Sequence, residues 1–471
     1  MIATPPNDHN DCVILQEEGA ALYQIVRKPT LVTLGPPSFS GKPRDDIPQE
    51  IWEDMLANAP FISRALMFLM AAVMWAYYTC MSAQDFYALQ FPDINFAFLT
   101  TFASSWPLCA GHLVQLLFGL DKKIGHETRV IGGFVVFLLM AVVIILCSAV
   151  SWEGNTTTGA VLILVCFGVM GAANAIAQSV FYVIASLFPM ERFTNAVQIG
   201  NVIAGVVNTT LGAVLRLIIG GVKQREGAQQ TSFFLFFAIL MGVCLSGIIV
   251  YRRLVRLRCV AFLLARNATL QANAELDGGE ITIRHRVCDY WRVSKMIAVP
   301  AVAQFLVFFV TLGVYPGIGC AAARVLDQDD IAVKWYCSPG IIGSFNYGEC
   351  LGRIMCTAAV YRVFTMKRSL VGTLLRLAFF PLLLMNVHGS ALYVFGGMAP
   401  TAPLVYGLGV NFVVGLSGGV LATVTMGSAP LMVSVEDREA ASAVMVLALF
   451  LGVAMGATFG LLVSQYGWFG L

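Results

Sequence analysis

Beyond residue 60 the chain alternates long apolar runs with short polar breaks, a pattern of membrane spans. The runs fall near 61–83, 94–119, 130–151, 159–187, 193–220, 231–251, 296–319, 337–361, 369–389, 402–427 and 440–464. A helix needs about 20 residues to cross the hydrocarbon layer, and each run supplies roughly that. The predicted fold class is an all-α integral membrane protein of about eleven transmembrane helices. Phe188-Pro189-Met190-Glu191-Arg192 alone divides the fourth span from the fifth, so a tight turn is expected there. An odd number of spans places the two termini on opposite faces.

Two segments interrupt the pattern. Residues 1–60 mix acidic and basic side chains with Pro36, Pro37, Pro43 and Pro48, which predicts a mostly disordered cytosolic tail. Residues 252–295 carry Arg252, Arg253, Arg256 and Arg258 first, and Arg284, Arg286 and Arg292 later. That break divides the spans into six and five, as in a two-bundle transporter with a cytosolic linker. The expected units are an N-terminal bundle at 61–251, the linker at 252–295 and a C-terminal bundle at 296–471. The linker's cations either face solvent or meet anionic headgroups.

Loop cations set the orientation. One set of loops holds Lys122, Lys123, Arg129, Arg192, the linker, Arg362, Lys367, Arg368 and Arg438; the other holds only Lys223, Arg225 and Arg324. The first set and the N-terminus are therefore expected in the cytosol, and the C-terminus outside. Asn155-Thr156-Thr157 is a glycosylation sequon in a loop assigned outside, which agrees.

Composition narrows the picture further. Hydrophobic residues make up 58% and charged ones 12%, about half the charge of a soluble domain. No basic cluster is interleaved with aromatics, so nucleic acid is not an expected partner. The polar start argues against a cleavable signal peptide. The twelve cysteines fall mostly in apolar runs, with no metal-ligand spacing, so no metal or cofactor is expected. Cys320 and Cys337 flank one outer loop, and either close a disulfide or stay as two thiols.

Polar residues inside the spans are the candidate chemistry. Asn346, Glu349 and Arg353 follow i, i+3, i+7 spacing and share one helix face, with Glu four residues before Arg. Glu349 lies about midway between Lys334-Trp335-Tyr336 and Tyr361-Arg362, which places it near the bilayer centre. A charge there costs at least ~2.5–3.5 kcal/mol on insertion scales, so the face either lines a substrate cavity or forms a structural salt bridge between helices. Gln178, in Gln178-Ser179-Val180-Phe181-Tyr182, offers the paired donor and acceptor that suit the edge of a heterocyclic base. Asn208, Thr209 and Thr210 are expected to bond neighbouring helices. His112 is expected to make an interhelical bond, Arg64 and Arg216 to snorkel to the surface, and Phe233–Phe237 to face lipid. Arg376 lies deeper, with no partner evident from the sequence.

The run Gln178-Ser179…Phe188-Pro189…Ala196-Val197-Gln198-Ile199-Gly200…Ala204-Gly205 resembles the signature of equilibrative nucleoside transporters. Phe345-Asn346…Gly352-Arg353 is similar to that family's eighth-helix motif. Thr311-Leu312…Tyr315-Pro316, Arg376…Phe380-Pro381…Asn386 and Ser417-Gly418-Gly419…Leu421 match in order and spacing. The resemblance implies a six-plus-five arrangement related to the major facilitator fold. It places the base-contacting glutamine at Gln178 and the ribose-contacting acid and arginine at Glu349 and Arg353. Asn346 matches the asparagine one turn before that acid, and Trp75 the cavity tryptophan of the first span. Three positions depart from the pattern: the acid, usually Asp, is Glu349; Pro-Trp-Asn reads Met74-Trp75-Ala76; and a common Gly is Asn174, which adds an amide on the base side.

The expected function is facilitative or proton-coupled transport of nucleosides, with nucleobases as a second permeant class, by alternating access. Trp75, Asn174, Gln178, Asn346, Glu349 and Arg353 are the candidate substrate-binding residues. A monomeric transport unit in the plasma membrane is expected, with the bilayer and the permeant as partners. No Walker-type loop is present, so ATP is not expected to drive the cycle. A heptahelical-type receptor fits the number of spans poorly. An intramembrane enzyme finds no converging acids, Ser/Lys dyad or His cluster. The same fold carrying another polar organic solute is the remaining alternative.

Overall fold

Inside a bilayer every backbone N–H and C=O must be satisfied within the protein, and the chain does this with helices alone among the described residues. The computed structural model describes residues 47–465, except 84–85, 88–89, 92–93, 95, 151, 153–154, 189–190, 223–226, 279–282, 323–329, 357–359, 361–362, 400 and 435–436. Most of the expected N-terminal tail, the turn residues Pro189 and Met190, and the loop cations Lys223, Arg225, Arg324 and Arg362 lie outside the described residues.

Six long helices form the first half: α1 (Gln49–Ser82), α2 (Phe96–Phe118), α3 (His126–Ala149), α4 (Thr156–Leu187), α5 (Glu191–Gly220) and α6 (Ala228–Val255). The linker folds as α7 (Arg258–Gly278) and α8 (Ile283–Met296). Helix α1 starts well before residue 61: its 34 residues reach about 51 Å, beyond a hydrocarbon layer of about 30 Å. The extra turns meet the linker, where Asp54 Oδ2 accepts the Cys259 N–H at 3.0 Å, near the start of α7.

The second half is less continuous. Helix α9 (Ala298–Val314) stops before Pro316 and resumes as α10 (Gly317–Ala321). The eighth span is α11 (Ile331–Trp335), a break at Ser338-Pro339, and α12 (Ile342–Ile354). Ser338 is extended there, at φ −123° and ψ 121°, because the residue before proline is pushed out of the helical region. The ninth span is α13 (Met366–Leu375), a short 3₁₀ turn at Arg376–Ala378, and α14 (Phe379–Leu384). Helices α15 (Ala402–Ser428) and α16 (Arg438–Gln465) complete the chain, and eight of these elements are long and apolar enough to cross a membrane.

The halves repeat each other's packing. Helix α1 pairs with α5 as α9 pairs with α16; α2 pairs with α4 as α12 pairs with α15. Glycine permits the closest of these approaches. A Cβ at Gly415 or Gly419 of α15 would overlap the carbonyl oxygens of Phe345 and Glu349. Gly348 and Gly352 of α12 are equally close to Phe412 and Leu416, so the α12 backbone is pressed onto α15. The halves meet along two seams, α2 with α16 and α5 with α12.

Two expectations about side chains are corrected. Phe233, Phe236 and Phe237 are buried rather than lipid-facing. Phe233 stacks on Phe86 at 4.3 Å and meets Tyr87 edge-on, closing an aromatic cluster at one end of the first half. Arg216 does not snorkel. It is buried, donates to the carbonyl oxygens of Ser338 and Lys334, and lies 5.2 Å from the Trp335 ring centroid. The break before Pro339 exposes those carbonyls, and a guanidinium satisfies two of them at once. His112 makes the interhelical contact expected of it, Nε2 to the Ala443 carbonyl oxygen at 3.2 Å, across the α2–α16 seam.

Candidate functional site

Helix α12 presents Asn346, Glu349 and Arg353 on its buried face, while Tyr347 and Leu351 are exposed on the other. Arg353 Nη2 donates to Glu349 Oε1 at 2.7 Å, the i, i+4 pair that the spacing predicts. Glu349 retains 8% of its surface exposure and Arg353 5%, so water screens the pair little. The position differs from the expectation in one respect. Helix α12 ends at Ile354, so the pair lies in its C-terminal part rather than midway along a helix of residues 337–361.

The partner across the divide is Gln198 of α5. Its Oε1 accepts from Arg353 Nη1 at 2.6 Å. One arginine therefore bridges a carboxylate on its own helix and an amide on the other half. Asn346, two turns toward the other end of α12, donates Nδ2 to Thr209 Oγ1 at 2.9 Å and to the Gly205 carbonyl oxygen at 3.4 Å. Further along the same seam Thr210 meets Tyr347 at 2.7 Å, and Trp335 Nε1 donates to the Val222 carbonyl oxygen at 2.9 Å.

Tyrosines surround the ion pair. Tyr77 and Tyr78 of α1 and Tyr315 after α9 lie within electrostatic range of Glu349, and Tyr182 of α4 within range of Arg353. Gln178 is buried one turn before Tyr182, whose hydroxyl lies beside the Gln178 and Asn201 amides. No hydrogen bond joins Gln178 to Glu349 or Arg353 among the described residues. Asn174 Nδ2 reaches Met74 Sδ at 3.7 Å, a weak contact between α4 and α1. The structure thus gathers Asn346, Glu349 and Arg353, approaches them with Gln178 through Tyr182, and buries Trp75 on α1 and Asn174 on α4.

Several of these residues hold buried polar atoms with no hydrogen-bond partner among the described residues: Trp75 Nε1, Asn174 Oδ1, Tyr182 Oη, Asn346 Oδ1 and Arg353 Nε. Buried polar groups are nearly always paired, so these atoms can meet a polar ligand; Arg376 Nε, Asn386 Oδ1 and Asn411 Oδ1 are likewise without a partner among the described residues. No group of His, Cys, Asp and Glu side chains able to hold a metal is found among the described residues.

Residue-by-residue reading missed Gln198, Tyr78 and Tyr182, whereas Thr209, expected to bond a neighbouring helix, accepts from Asn346 of α12. The available signal was the i, i+3 spacing of Gln198 and Asn201 within an apolar run. Arg376 finds the partners that the sequence did not reveal. It donates to Thr311 Oγ1 at 2.7 Å, to the Val414 carbonyl oxygen at 2.8 Å and to Ser417 Oγ. Cys320 and Cys337 are disulfide-bonded, with Cα atoms 4.9 Å apart, and Asn155 is exposed just before α4.

Residues 162–465 match the family model described as nucleoside transporter, which is most of the chain and both halves of the site. The chain belongs to the nucleoside transporter family. Its relatives in that family include equilibrative nucleotide transporter 8 of Arabidopsis thaliana, 22% identical over 80% of this chain and 89% of that one. Equilibrative nucleoside transporter 1 of Homo sapiens is 22% identical over 73% of this chain and 77% of that one. Among solved structures, a major facilitator superfamily proton:xylose symporter superposes with a TM-score of 0.54 at 12% identity, covering 87% of this chain and 96% of that one. A bacterial homologue of the human lysosomal transporter Spinster superposes at 0.52 with 14% identity, over 86% and 83%. This member of the nucleoside transporter family therefore has the major facilitator fold, as its two repeated halves also show.

Proposed function

We propose that this multi-pass membrane transporter carries nucleosides by alternating access, with the site at the α5–α12 seam. One observation carries the reading: in a nucleoside transporter family chain, a buried Glu–Arg pair on one half is bonded to an amide on the other. Glu349 and Arg353 exchange hydrogen bonds with ribose hydroxyls, replacing the water those hydroxyls lose. Gln178 takes the base edge, and Asn174, Trp75 and Asn346 complete the lining. Nucleobases are the second permeant class, since they present the same edge without the ribose.

Rocking of the halves breaks the seam contacts on one side while the other stays closed. The bonds from Arg353 to Gln198 and from Asn346 to Thr209 sit where that separation must occur. The N-terminus and linker face the cytosol, the C-terminus and a glycosylated Asn155 face outside, the host is the plasma membrane, and the monomer is the transport unit. Cycling needs no chemistry on the permeant. Uptake of radiolabelled nucleoside into liposomes that hold only this protein tests the reading. Accumulation above protein-free liposomes, competed by unlabelled nucleoside, is the expected result; its absence in well-folded protein refutes it.

A further inference from the structure

The linker helix α8 presents three faces, and the permeant site uses none of them. Val293 on the first is fully buried where α8 packs on α2 and α16. Arg286 lies over Gly119, just past α2, where a Cβ would overlap its guanidinium and a φ of +60° favours glycine. Arg292 grips Asp437, just ahead of α16, with Nη2–Oδ1 at 2.8 Å and Nη1–Oδ2 at 3.2 Å. The helix is therefore fixed against one element from each half.

Its remaining face is apolar and open. Ile283, Val287 and Trp291, spaced i, i+4, i+8, are 47%, 45% and 63% exposed. Arg284 and Lys295 flank the stripe, and Lys295 Nζ lies 5.3 Å from the Trp291 ring centroid. The chain then passes through Ile297 into α9, a span-forming helix that begins at Ala298. That junction holds the stripe close to the level where hydrocarbon gives way to headgroups. Phe118, at the end of α2 next to Gly119, is exposed as well.

We propose that α8 is an interfacial helix that lies in the leaflet on the linker's side and binds anionic phospholipid. Ile283, Val287 and Trp291 enter the acyl boundary, a depth that suits an indole, and Arg284 and Lys295 engage the phosphates. Charge complementarity selects this occupant over a neutral protein surface, because an apolar stripe bordered by cations matches a leaflet whose interior is apolar and whose surface is negative. The inference rests on the transmembrane character of the chain and not on its permeant.

The test uses the full-length protein in phosphatidylcholine vesicles, with or without phosphatidylserine and with ordinary or brominated acyl chains. The emission difference between wild type and Trp291→Phe isolates Trp291 from the other tryptophans. Brominated chains are expected to quench that difference when phosphatidylserine is present, and less in its absence or at high salt. Lys295→Gln and Arg284→Gln, which keep the indole, are each expected to raise roughly fivefold the phosphatidylserine fraction needed for half of that quenching. Quenching of Trp291 by aqueous iodide but not by brominated lipid overturns the proposal. Equal quenching with and without phosphatidylserine also overturns it, because the cations would then recognise nothing.

Discussion

Arg353 and Arg376 are both buried in the second half of the chain, yet they are held in opposite ways. Arg353 has a carboxylate on its own helix and an amide from the other half. Arg376 bonds to no carboxylate among the described residues: two hydroxyls and a carbonyl from α9 and α15 hold it within its own half. Glu349 is within electrostatic range of both. A guanidinium surrounded by neutral oxygens inside one bundle pins helices together and has no reason to move. A guanidinium shared between bundles must change partners when they separate. On this difference we propose that Arg353 takes part in the transport cycle and Arg376 in the scaffold, although the sequence shows each as an arginine in an apolar run.

The largest effect expected from breaking that contrast follows Arg353→Ala. It leaves Glu349 buried beside an unpaired Gln198, a loss on the order of 3–5 kcal/mol at the site unless the carboxylate takes a proton. Nucleoside uptake per folded molecule is expected to fall at least about 100-fold. Glu349→Gln keeps the shape, removes the charge and is expected to impair nucleosides more than nucleobases. Glu349→Asp is expected to be the mildest change. Adenosine, inosine, adenine and hypoxanthine uptake, normalised to surface expression, checks all three. Wild-type nucleoside rates for Arg353→Ala and Glu349→Gln would make the pair structural.

Arg376→Leu is expected to act differently. It removes hydrogen bonds from a charged donor, typically about 1.5–3 kcal/mol each, while the Thr311 and Ser417 hydroxyls keep their bonds to the Val307 and Val413 carbonyl oxygens. The yield of folded protein and its melting temperature are expected to drop, while uptake per folded molecule and the nucleoside-to-nucleobase ratio hold. A changed permeant ratio would move Arg376 into the site.

How much of this was legible depended on whether the information was local. The spans, the shared face of Asn346, Glu349 and Arg353 and the Glu349–Arg353 pair are set by helical periodicity, which a sequence displays directly. Gln198 and Arg353 are separated by 155 residues, and the bond between them exists only because the α5–α12 seam closes. Arg216 was misjudged for the same reason: its partners are carbonyls freed by the break before Pro339, in the other half. Phe233–Phe237 resembles lipid-facing bulk to any one-dimensional reading, because hydrophobicity does not distinguish lipid from core inside a membrane. The breaks in the eighth and ninth spans were hidden by apolar composition, and Glu349 sits nearer a helix end as a result.

Gln198→Ala sharpens the comparison from the other half. It removes one hydrogen bond to a charged group, typically about 1.5–3 kcal/mol, and leaves the Glu349–Arg353 pair intact. The contact exists only while this part of the seam is closed, so the variant is expected to shift the halves toward separation. Accessibility of a cysteine placed at Asn201 to a thiol reagent, on a background without the free cysteines, is expected to rise. Unchanged accessibility would show that Gln198 does not hold the seam. Gln178→Ala, by contrast, is expected to weaken nucleosides and nucleobases alike, because both present a base edge.

The smallest effect is expected outside the membrane, at the ion pair that fixes the linker. Arg292 beside Asp437 holds that carboxyl below the usual carboxylate range, helped by a hydrogen bond from Ser434. A folded-state value below the unfolded one, near 3.9, means the pair contributes fully above that pH and fades as pH falls through the folded value. Between pH 5 and 8 its contribution is therefore constant. Arg292 is 55% exposed at its side chain, so solvent screening limits the pair to about 0.2–1 kcal/mol. Asp437→Asn is expected to lower the melting temperature in detergent by less than about 2 °C, equally at pH 5 and pH 8. A difference between wild type and variant that changed across that range would mean that another group near the linker titrates. It would also remove the contrast with the buried pair at Glu349 and Arg353, where removing either charge is expected to be felt in transport.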